Sequence, residues 1–486
     1  MGLIAIDAGT TGVTAILYDD VFGVRARAYR ELRQHFPRAG WVEHDADDLR
    51  GALDAVLAEL GTHPEARSAR ALGITNQRET VFALERGTGR ALRRGIVWQD
   101  RRTAARCREL VASGDAGWLE ERTGLLADPY FSATKIEWML REDPNVRARA
   151  ARGEVVFATV DALVRQHLCG DGAWLSEPTN ASRTQLFHLD ERRWDQRATA
   201  LFGVDPDWLP SVRPSAGDFG TLDRRFWGAE VPVCGMAGDQ QAALFGQGCW
   251  QSGELKATYG TGLFVLLNAG AVRPTARGGL LTTLAVEGAG LPCYALEGSA
   301  FQGGSIVQWL RDELHMIRSA AESEALAAGV SDAGGVVLVP AFTGLGAPYW
   351  APDARGALFG LTRGTQRGHI ARAALEAIAF QVAELIELLR ANTGLGIERM
   401  RVDGGATAND LLMQLQADLA GIVVERPDDV EATARGAAML AGIGAKMWPS
   451  VKDVPQRPTR AFEPALGAAE RAERMGAWRA AVRRVL

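Results

Sequence analysis

Two short turns rich in glycine and threonine carry the first sign of chemistry in this sequence. They read Asp7-Ala-Gly-Thr-Thr-Gly12 and Thr258-Tyr-Gly-Thr-Gly262, and a β-prone run leads into and out of each. Glycines let the backbone approach an anion closely, and threonine hydroxyls add hydrogen-bond donors. Asp7 adds a carboxylate that can hold Mg²⁺ through water. Such a turn also occurs in ordinary hairpins, but the pair indicates two related halves that grip one polyphosphate.

A polar cluster, Thr75-Asn-Gln-Arg-Glu-Thr80, lies between two β-prone runs. Arg78 and Glu79 are adjacent and can hold vicinal hydroxyls, because the guanidinium donates and the carboxylate accepts. Trp98 follows another β-prone run and can pack on a short carbon chain. Taken singly, the polar cluster is more often an exposed loop, and a lone tryptophan after a strand is more often a core residue. Together, these residues suit the binding of a polyol.

Asp239 lies at a predicted strand-to-helix junction. Its side chain can cap the helix that starts at Gln240, because side-chain oxygens satisfy the free amides there. It can also act as a general base that accepts a proton late in a loose phosphoryl transfer, a task for which an ordinary aspartate is basic enough. These two interpretations are compatible. A third junction, Asp403-Gly-Gly405 with Asn409, allows close approach of a flat ring or a ribose.

Alternating strands and helices must position these side chains, as expected of a mixed α/β chain. Besides the two hairpins, the predicted strands are 71–75, 80–84, 231–237, 336–340 and 400–403, and the predicted helices are 48–60, 132–141, 369–393, 409–420 and 435–443. The last helix is rich in small residues, which predicts close packing. No Pro- or Ser-rich linker separates the halves, and we predict domains 1–246 and 247–486.

Size and composition exclude several classes of protein. A chain of 486 residues is too long for one ordinary core and suits two large domains or more. The net charge of -5 provides no basic footprint for nucleic acid or anionic membrane. The five cysteines and seven histidines show no metal-ligand spacing. We expect a cytoplasmic protein with reduced, mostly buried cysteines, without a signal peptide or a membrane helix.

These segments together resemble the FGGY carbohydrate kinases, and the polyol-contacting ones resemble the members that act on glycerol. The resemblance runs from about Leu3 to about Val482. It is carried by Gly73–Thr80, Ile96–Gln99, Asp128–Ser132, Thr179–Thr184, Ala237–Gly246, Thr258–Gly262, Pro340–Trp350 and Arg401–Gly405. It implies an α/β fold with two ribonuclease H-like domains, of the actin/hexokinase ATPase type, around a central cleft.

The resemblance also implies transfer of the ATP γ-phosphate to a terminal hydroxyl of glycerol, with Asp239 as the general base. By motif match, the glycerol contacts are Arg78, Glu79, Trp98, Tyr130, Asp239, Gln240 and Phe264. The nucleotide contacts are Thr10, Thr11, Thr261, Gly304, Gln308, Gly405 and Asn409. Asp7 and Asp239 face Mg²⁺. Relatives are often dimers or tetramers, so a homo-oligomer is expected by analogy.

The chain departs from the pattern of these relatives in three places. It has Ala8 where many have glutamine, and Gly12-Val-Thr14 where polar residues, often an arginine, follow the threonines. Both departures change the expected contacts to the outer phosphates. Relatives inhibited by fructose 1,6-bisphosphate carry a Gly-Gly-Lys-Gly-Gly loop ahead of the base. Here the region reads Asp223-Arg-Arg-Phe-Trp-Gly-Ala-Glu230, and we predict no such inhibition.

Two other functions compete with this one. A kinase for a tetritol or a pentulose would share the fold, but the three aromatic residues Trp98, Tyr130 and Phe264 favour a small cavity, since each extra hydroxymethyl needs room and new partners. A non-catalytic, ATP-driven binding protein of the actin type would also share the fold. An aspartate beside a polyol cluster, as at Asp239, distinguishes the kinase from it.

Overall fold

A computed structural model describes residues 2–287, 293–429 and 431–486 of the chain. The described residues fall into two units. The first contains those of Met1–Gly248, Thr283–Cys293 and Ala432–Gln456, and the second contains those of Cys249–Thr282, Tyr294–Glu431 and Arg457–Leu486. A segment late in the sequence, Ala432–Gln456, therefore belongs to the first unit.

Both units are mixed α/β structures. The strands are β1 (Leu3–Ala8), β2 (Gly12–Tyr18), β3 (Val24–Glu31), β4 (Glu43–His44), β5 (Ala71–Asn76), β6 (Val81–Glu85), β7 (Gly95–Ile96), β8 (Val155–Thr159), β9 (Leu175–Ser176), β10 (Phe187–His188), β11 (Arg193–Trp194), β12 (Ser211–Val212), β13 (Val233–Gly238), β14 (Leu255–Tyr259), β15 (Leu263–Gly270), β16 (Leu281–Leu284), β17 (Tyr294–Ala300), β18 (Val337–Val339), β19 (Ala357–Phe359), β20 (Arg399–Asp403), β21 (Val423–Pro427) and β22 (Thr459–Phe462).

The α-helices are α1 (Ala46–Leu60), α2 (Ala104–Ser113), α3 (Asp115–Thr123), α4 (Ser132–Glu142), α5 (Pro144–Ala150), α6 (Val160–Cys169), α7 (Pro178–Ala181), α8 (Gln196–Leu201), α9 (Arg224–Trp227), α10 (Asp239–Gly246), α11 (Gly304–Asp312), α12 (Ala320–Ala328), α13 (Arg367–Thr393), α14 (Asp410–Ala420), α15 (Ala432–Gly444) and α16 (Ala468–Val482). Short 3₁₀ helices cover Ala66–Ser68, Pro206–Trp208, Gly405–Ala408 and Val451–Asp453. Each strand and helix predicted from the sequence corresponds to one of these elements.

The central sheets of the two units repeat one topology. The five-stranded sheet of the first unit has the order β13-β5-β1-β2-β3, and the second sheet contains the series β21-β20-β14-β15-β17. In each, the first three strands are parallel and the hairpin partners are antiparallel. The sequence prediction of two related halves, each opening on a hairpin, is confirmed.

The apolar pattern of the chain explains how these layers pack. Strand β1 is a run of buried residues, as expected for a strand covered on both faces. Helix α1 begins after Asp45, whose carboxylate accepts from the Asp47 amide at 3.0 Å, and it buries Leu49, Leu53 and Leu57 at helical spacing. The face predicted for residues 48–60 is therefore the one that packs inward.

Within the first unit, helix α15 packs backbone to backbone against β5 and α10. A Cβ at Gly73 of β5 would lie 2.0 Å from the Ala437 carbonyl oxygen, and one at Gly436 would lie 1.9 Å from the Ala242 carbonyl oxygen of α10. Only glycine fits at these two crossings. The close packing predicted from the small residues of 435–443 is confirmed.

The five cysteines are buried, as predicted. Within the part of the chain that the structure describes, no helix has the length and apolar content needed to cross a bilayer.

Candidate active site

Three parallel strands of the first unit end at one edge of the sheet and bring the predicted polar residues there. In the register, Asp7 of β1 and Ala237 of β13 both pair with Thr75 of β5. Asp239 follows β13 directly, and the chain from Asn76 onward continues from β5. The sheet thus places the predicted metal-facing carboxylates on either side of the polar cluster. With neighbouring strands about 4.8 Å apart, they are separated by roughly 10 Å.

Arg78 and Asp239 form an ion pair at this edge. Arg78 Nε lies 3.1 Å from Asp239 Oδ1, and the arginine side chain is buried while that of the aspartate is 30% exposed. Arg78 Nη1 also donates to Gln241 Oε1 at 3.1 Å. A buried guanidinium fixed at two points holds the carboxylate in place and leaves part of it open to a ligand.

The side chain of Asp239 lies beside Arg78 but not at the predicted capping position. It belongs to the first residue of α10, and its Oδ1 accepts from the Gln240 amide at 2.7 Å. The same oxygen faces Arg78. The predicted capping role is therefore wrong, because α10 begins one residue earlier than expected and its N-cap, Gly238, has no side chain to cap with.

Gln241 is a residue of the site that the sequence analysis missed. It is fully buried, and its Nε2 donates to the Leu284 carbonyl at 3.1 Å and approaches Thr283 Oγ1 at 3.3 Å. Its Oε1 is thereby aimed at Arg78. The signal was weak, because a second glutamine after Gln240 reads as an ordinary helical residue.

Glu79 sits in a special backbone conformation. Its φ is 63°, in the left-handed region that costs a non-glycine residue about 1 kcal/mol or more. Ser132 Oγ donates to its carbonyl oxygen at 2.8 Å. Its carboxylate accepts from Arg183 Nε at 2.6 Å, and both side chains are buried. The surrounding structure therefore holds a strained residue whose carboxylate carries a fixed counter-charge.

Arg183 is the second residue that the sequence analysis did not assign to the site. Its guanidinium lies 5.5 Å from the centre of the Tyr130 ring and 5.4 Å from that of Phe131, distances at which a cation is attracted by an aromatic face. The stretch Thr179–Thr184 carries part of the resemblance, but its order of residues does not indicate that Arg183 contacts Glu79.

Two of the predicted aromatic residues lie side by side. The rings of Trp98 and Tyr130 are 5.5 Å apart and meet edge to face. Lys135 Nζ donates to the Tyr130 carbonyl at 2.6 Å, and burial lowers the pKa of this ammonium to about 8. The predicted contact of these two rings with a polyol remains a prediction.

The first Gly-Thr turn is anchored by its carbonyl groups. Gln77 Nε2 donates to the Gly9 carbonyl at 3.0 Å, and the Leu32 amide donates to the Thr11 carbonyl at 2.8 Å. Trp98 Nε1 donates to Thr10 Oγ1 at 2.9 Å. Thr11 is exposed. These hydrogen bonds fix the backbone of the turn, and Thr11, which is predicted to donate a hydrogen bond to phosphate, is exposed.

In the second unit, Thr261 and Gly304 are brought together. The Gly304 amide donates to the Gly260 carbonyl at 2.7 Å, and the Gly303 amide donates to the Thr261 carbonyl at 2.8 Å. The N-terminus of α11 therefore packs on the second hairpin turn. Gln308 lies one turn further along α11 and is exposed.

Gly405 reaches the same edge of the second sheet. Strand β20 runs parallel to β14, with Thr258 opposite Asp403. Gly404 has a φ of 93°, and a Cβ there would lie 2.6 Å from the Tyr259 carbonyl oxygen, whereas a Cβ at Gly405 would meet open space. The first glycine is needed for packing, and the second leaves room for a ligand.

Asn409 acts as a helix cap in this structure. Its Oδ1 accepts from the Leu412 amide at 2.8 Å, and its Nδ2 lies 3.4 Å from Ser323 Oγ. Phe264 lies on β15, opposite Thr258, and is partly exposed. It belongs to the second unit, whereas the other predicted polyol residues belong to the first.

The described residues contain no cluster of three or more His, Cys, Asp or Glu side chains suited to a metal ion. Asp7 and Asp239 fit a different type of site, because Mg²⁺ is usually bound by one or two carboxylates together with substrate phosphates and water. The carboxylates at the sheet edge are compatible with this arrangement.

Duplicated sheets of this strand order, each with a Gly-Thr hairpin, define the fold of the actin/hexokinase ATPase type. Models of the FGGY family of carbohydrate kinases match the chain, the N-terminal domain at residues 2–246 and the C-terminal domain at residues 255–445. The chain belongs to the FGGY family of carbohydrate kinases. The family and the fold predicted from the sequence are both confirmed.

Individual relatives are similar over nearly the whole chain. A glycerol kinase of Aromatoleum aromaticum is 50% identical over 486 residues, with 99% of this chain and 98% of the relative covered. A glycerol kinase of Dechloromonas aromatica is 48% identical, with 100% and 97% covered. The crystal structure of Plasmodium falciparum glycerol kinase with ADP matches with a TM-score of 0.94 at 32% identity, covering 100% of this chain and 98% of the other.

Proposed function

We propose that this protein transfers the γ-phosphate of ATP to a terminal hydroxyl of glycerol, giving sn-glycerol 3-phosphate and ADP. The observation that carries the proposal is the ion pair of Arg78 with Asp239. The adjacent residue, Glu79, pairs with Arg183, whose guanidinium lies over the Tyr130 ring. Full-length relatives at about half identity that are named glycerol kinase support the choice of substrate.

Each group of the site has a part in this reaction. Arg78 donates to one substrate hydroxyl and the Glu79 carboxylate accepts from another, so that a vicinal diol is held with defined orientation. Trp98 and Tyr130, with Phe264 and Gln240, complete the polyol contacts in the proposal. Positioning of this kind supplies a large part of the catalysis of phosphoryl transfer.

Asp239 takes the proton of the attacking hydroxyl. As the bond from the γ-phosphorus to the ADP oxygen breaks, the glycerol oxygen forms a new bond to phosphorus and gives its hydrogen to the carboxylate. The transition state is loose, so this transfer occurs late and a carboxylate of ordinary basicity suffices. The helix amide of Gln240 and Arg78 hold the aspartate in place.

Mg²⁺ would be held at the edge of the first sheet by Asp7 and Asp239, through water. When bound, it neutralises charge on the outer phosphates. Thr10, Thr11, Thr261, Gly304, Gln308, Gly405 and Asn409 would contact the nucleotide. The proposal thus assigns the polyol site and first phosphate turn to residues 1–246, and most nucleotide contacts to residues 247–486. A cytoplasmic location remains a prediction from the composition, and a dimeric or tetrameric state remains a prediction from the resemblance.

The test is ADP release by the purified protein with Mg-ATP, measured with glycerol, dihydroxyacetone, erythritol, xylulose and ribulose. A large preference in kcat/KM for glycerol supports the proposal. Activity on a pentulose or erythritol alone would support the proposed kinase activity but contradict glycerol as the substrate. No ADP release with any of the five would contradict the proposed function. Fructose 1,6-bisphosphate added at millimolar concentration should leave the rate unchanged.

A further inference from the structure

A closed circuit of hydrogen bonds links the first Gly-Thr turn to the polar cluster and to Trp98. Gln77 Nε2 donates to the Gly9 carbonyl at 3.0 Å, and Gln77 Oε1 accepts from Thr80 Oγ1 at 2.7 Å. Thr80 Oγ1 accepts in turn from the Trp98 amide at 3.2 Å, and Trp98 Nε1 donates to Thr10 Oγ1 at 2.9 Å. The circuit therefore begins and ends at adjacent residues of the turn.

The chemistry of these groups fixes the direction of every bond. An indole N–H can only donate, so the Thr10 hydroxyl must accept from Trp98 and its own hydrogen is directed elsewhere. The amide oxygen of Gln77 can only accept, so the Thr80 hydroxyl donates to it and accepts from the Trp98 amide. The circuit thus presents Thr10 as a hydrogen-bond donor, which is the role needed towards a phosphate oxygen.

Trp98 connects this donor to the polyol side of the site. Its ring meets the Tyr130 ring edge to face, and a carbon chain packed on the indole restricts the motion of the ring. Any restriction of the indole is passed directly to the Thr10 hydroxyl through the bond from Nε1. The phosphate turn and the polyol site are therefore joined by one side chain.

We propose that Trp98 is a positioning residue for Thr10, and that polyol binding orders the phosphate-binding turn through the indole N–H. The inference rests on the proposed function, since it takes Thr10 as a phosphate contact and Trp98 as a polyol contact. It adds a free-energy coupling between phosphate binding at the turn and polyol binding at Trp98, which neither role implies by itself. The coupling is a reciprocal free energy and can be measured by binding alone.

The experiment is a double-mutant cycle on the dissociation constant of adenylyl imidodiphosphate, measured by calorimetry with Mg²⁺ and saturating glycerol. Trp98→Phe removes the indole N–H, Thr10→Val removes the hydroxyl, and the third variant combines them. A net hydrogen bond of about 0.5–1.5 kcal/mol corresponds to roughly twofold to tenfold in affinity. The loss caused by Thr10→Val should be smaller by this factor in the Trp98→Phe background.

A matched control is available on α3. Trp118 Nε1 donates to Asp115 Oδ1 at 2.9 Å, so Trp118→Phe removes an equivalent bond outside the circuit. It should show no coupling to Thr10→Val. Thr10→Ser keeps the hydroxyl and should retain the dependence on Trp98. Melting temperatures of all variants establish that each is folded.

Additive losses in the Trp98 cycle would overturn the inference, as would equal coupling in the Trp118 cycle. These results are independent of turnover. A wild-type protein that releases no ADP with glycerol contradicts the proposed function, whereas an active protein with an additive cycle contradicts only the coupling.

Discussion

A single methyl group at Gly238 tests whether Arg78 holds the substrate. Gly238 ends β13 with φ and ψ of -60° and 149°, a conformation that alanine adopts without strain. A Cβ there would lie 2.7 Å from Cγ and 2.8 Å from Cδ of Arg78. Carbon atoms prefer separations of about 3.5–4.0 Å, so Gly238→Ala must displace the arginine side chain by roughly 1 Å.

The displacement has a calculable effect on activity. Arg78 now lies 3.1 Å from both Asp239 Oδ1 and Gln241 Oε1, and a shift of this size breaks or lengthens both contacts. Overpacking costs about 1–3 kcal/mol, and a hydrogen bond to a charged group contributes about 1.5–3 kcal/mol. We expect kcat/KM for glycerol to fall roughly 10-fold to 100-fold in Gly238→Ala.

The assay is steady-state ADP release at varied glycerol and saturating ATP, with the melting temperature measured in parallel. Gly51→Ala is the control, because a Cβ at this position of α1 would meet no atom within 4 Å. Its kcat/KM should match that of the parent protein. If Gly238→Ala is folded and its kcat/KM is also unchanged, Arg78 is not the group that binds the polyol.

Substitutions at three other residues provide further tests. Arg78→Ala should raise KM for glycerol about tenfold or more, and an unchanged KM would place the polyol elsewhere. Arg183→Met should lower the free energy of unfolding by about 3–5 kcal/mol, because it removes the buried guanidinium that pairs with the buried Glu79 carboxylate. Arg183→Lys should recover part of that loss, and equal melting temperatures for both variants and the parent would refute the role of the pair. Burial lowers the pKa of His44 from 6.5 to about 4, so the folded state keeps this imidazole neutral. The resulting stability is present above pH 6.5 and is lost as the pH falls towards 4, by about 3 kcal/mol in total. Thermal unfolding of His44→Gln should depend less on pH in this range, and an unchanged dependence would contradict the assignment.

The parts of the site that follow strands were predictable from the sequence. Asp7 and Asp239 come directly after the apolar runs of two parallel strands, and Arg78 lies two residues beyond the end of a third. Parallel strands that share a sheet end at a common edge. Local sequence order was therefore enough to bring them together. The helical spacing of α1 and the small residues of α15 were equally local signals.

The supporting contacts were not predictable, because they join residues far apart in the chain. Arg183 meets Glu79 across 104 positions, and Gln241 meets Arg78 across 163. Arginine and glutamine are common on solvated surfaces, so the residue types of Arg183 and Gln241 did not indicate that they would be buried in the site. The need for glycine at Gly238 likewise depends on where Arg78 lies, which a single sequence does not state.

The membership of Ala432–Gln456 in the first unit also lay beyond sequence reasoning. The predicted boundary divided the chain once, at residue 246. Nothing in the order of residues indicates that a segment late in the chain packs with the first half. Backbone contacts of the kind made by Gly73 and Gly436 decide where such a segment packs. The division into domains 1–246 and 247–486 remains a prediction.

The most direct test of the account is the Asp239→Asn variant, with glycerol affinity and kcat measured on the same preparation. Asparagine keeps an oxygen that can accept from the Gln240 amide and from Arg78, so the geometry is retained and only the basicity is lost. The account predicts a glycerol dissociation constant close to that of the parent and a kcat lower by about 10²-fold or more. A kcat close to that of the parent would show that Asp239 has only a structural role at the start of α10, and would contradict the proposed base.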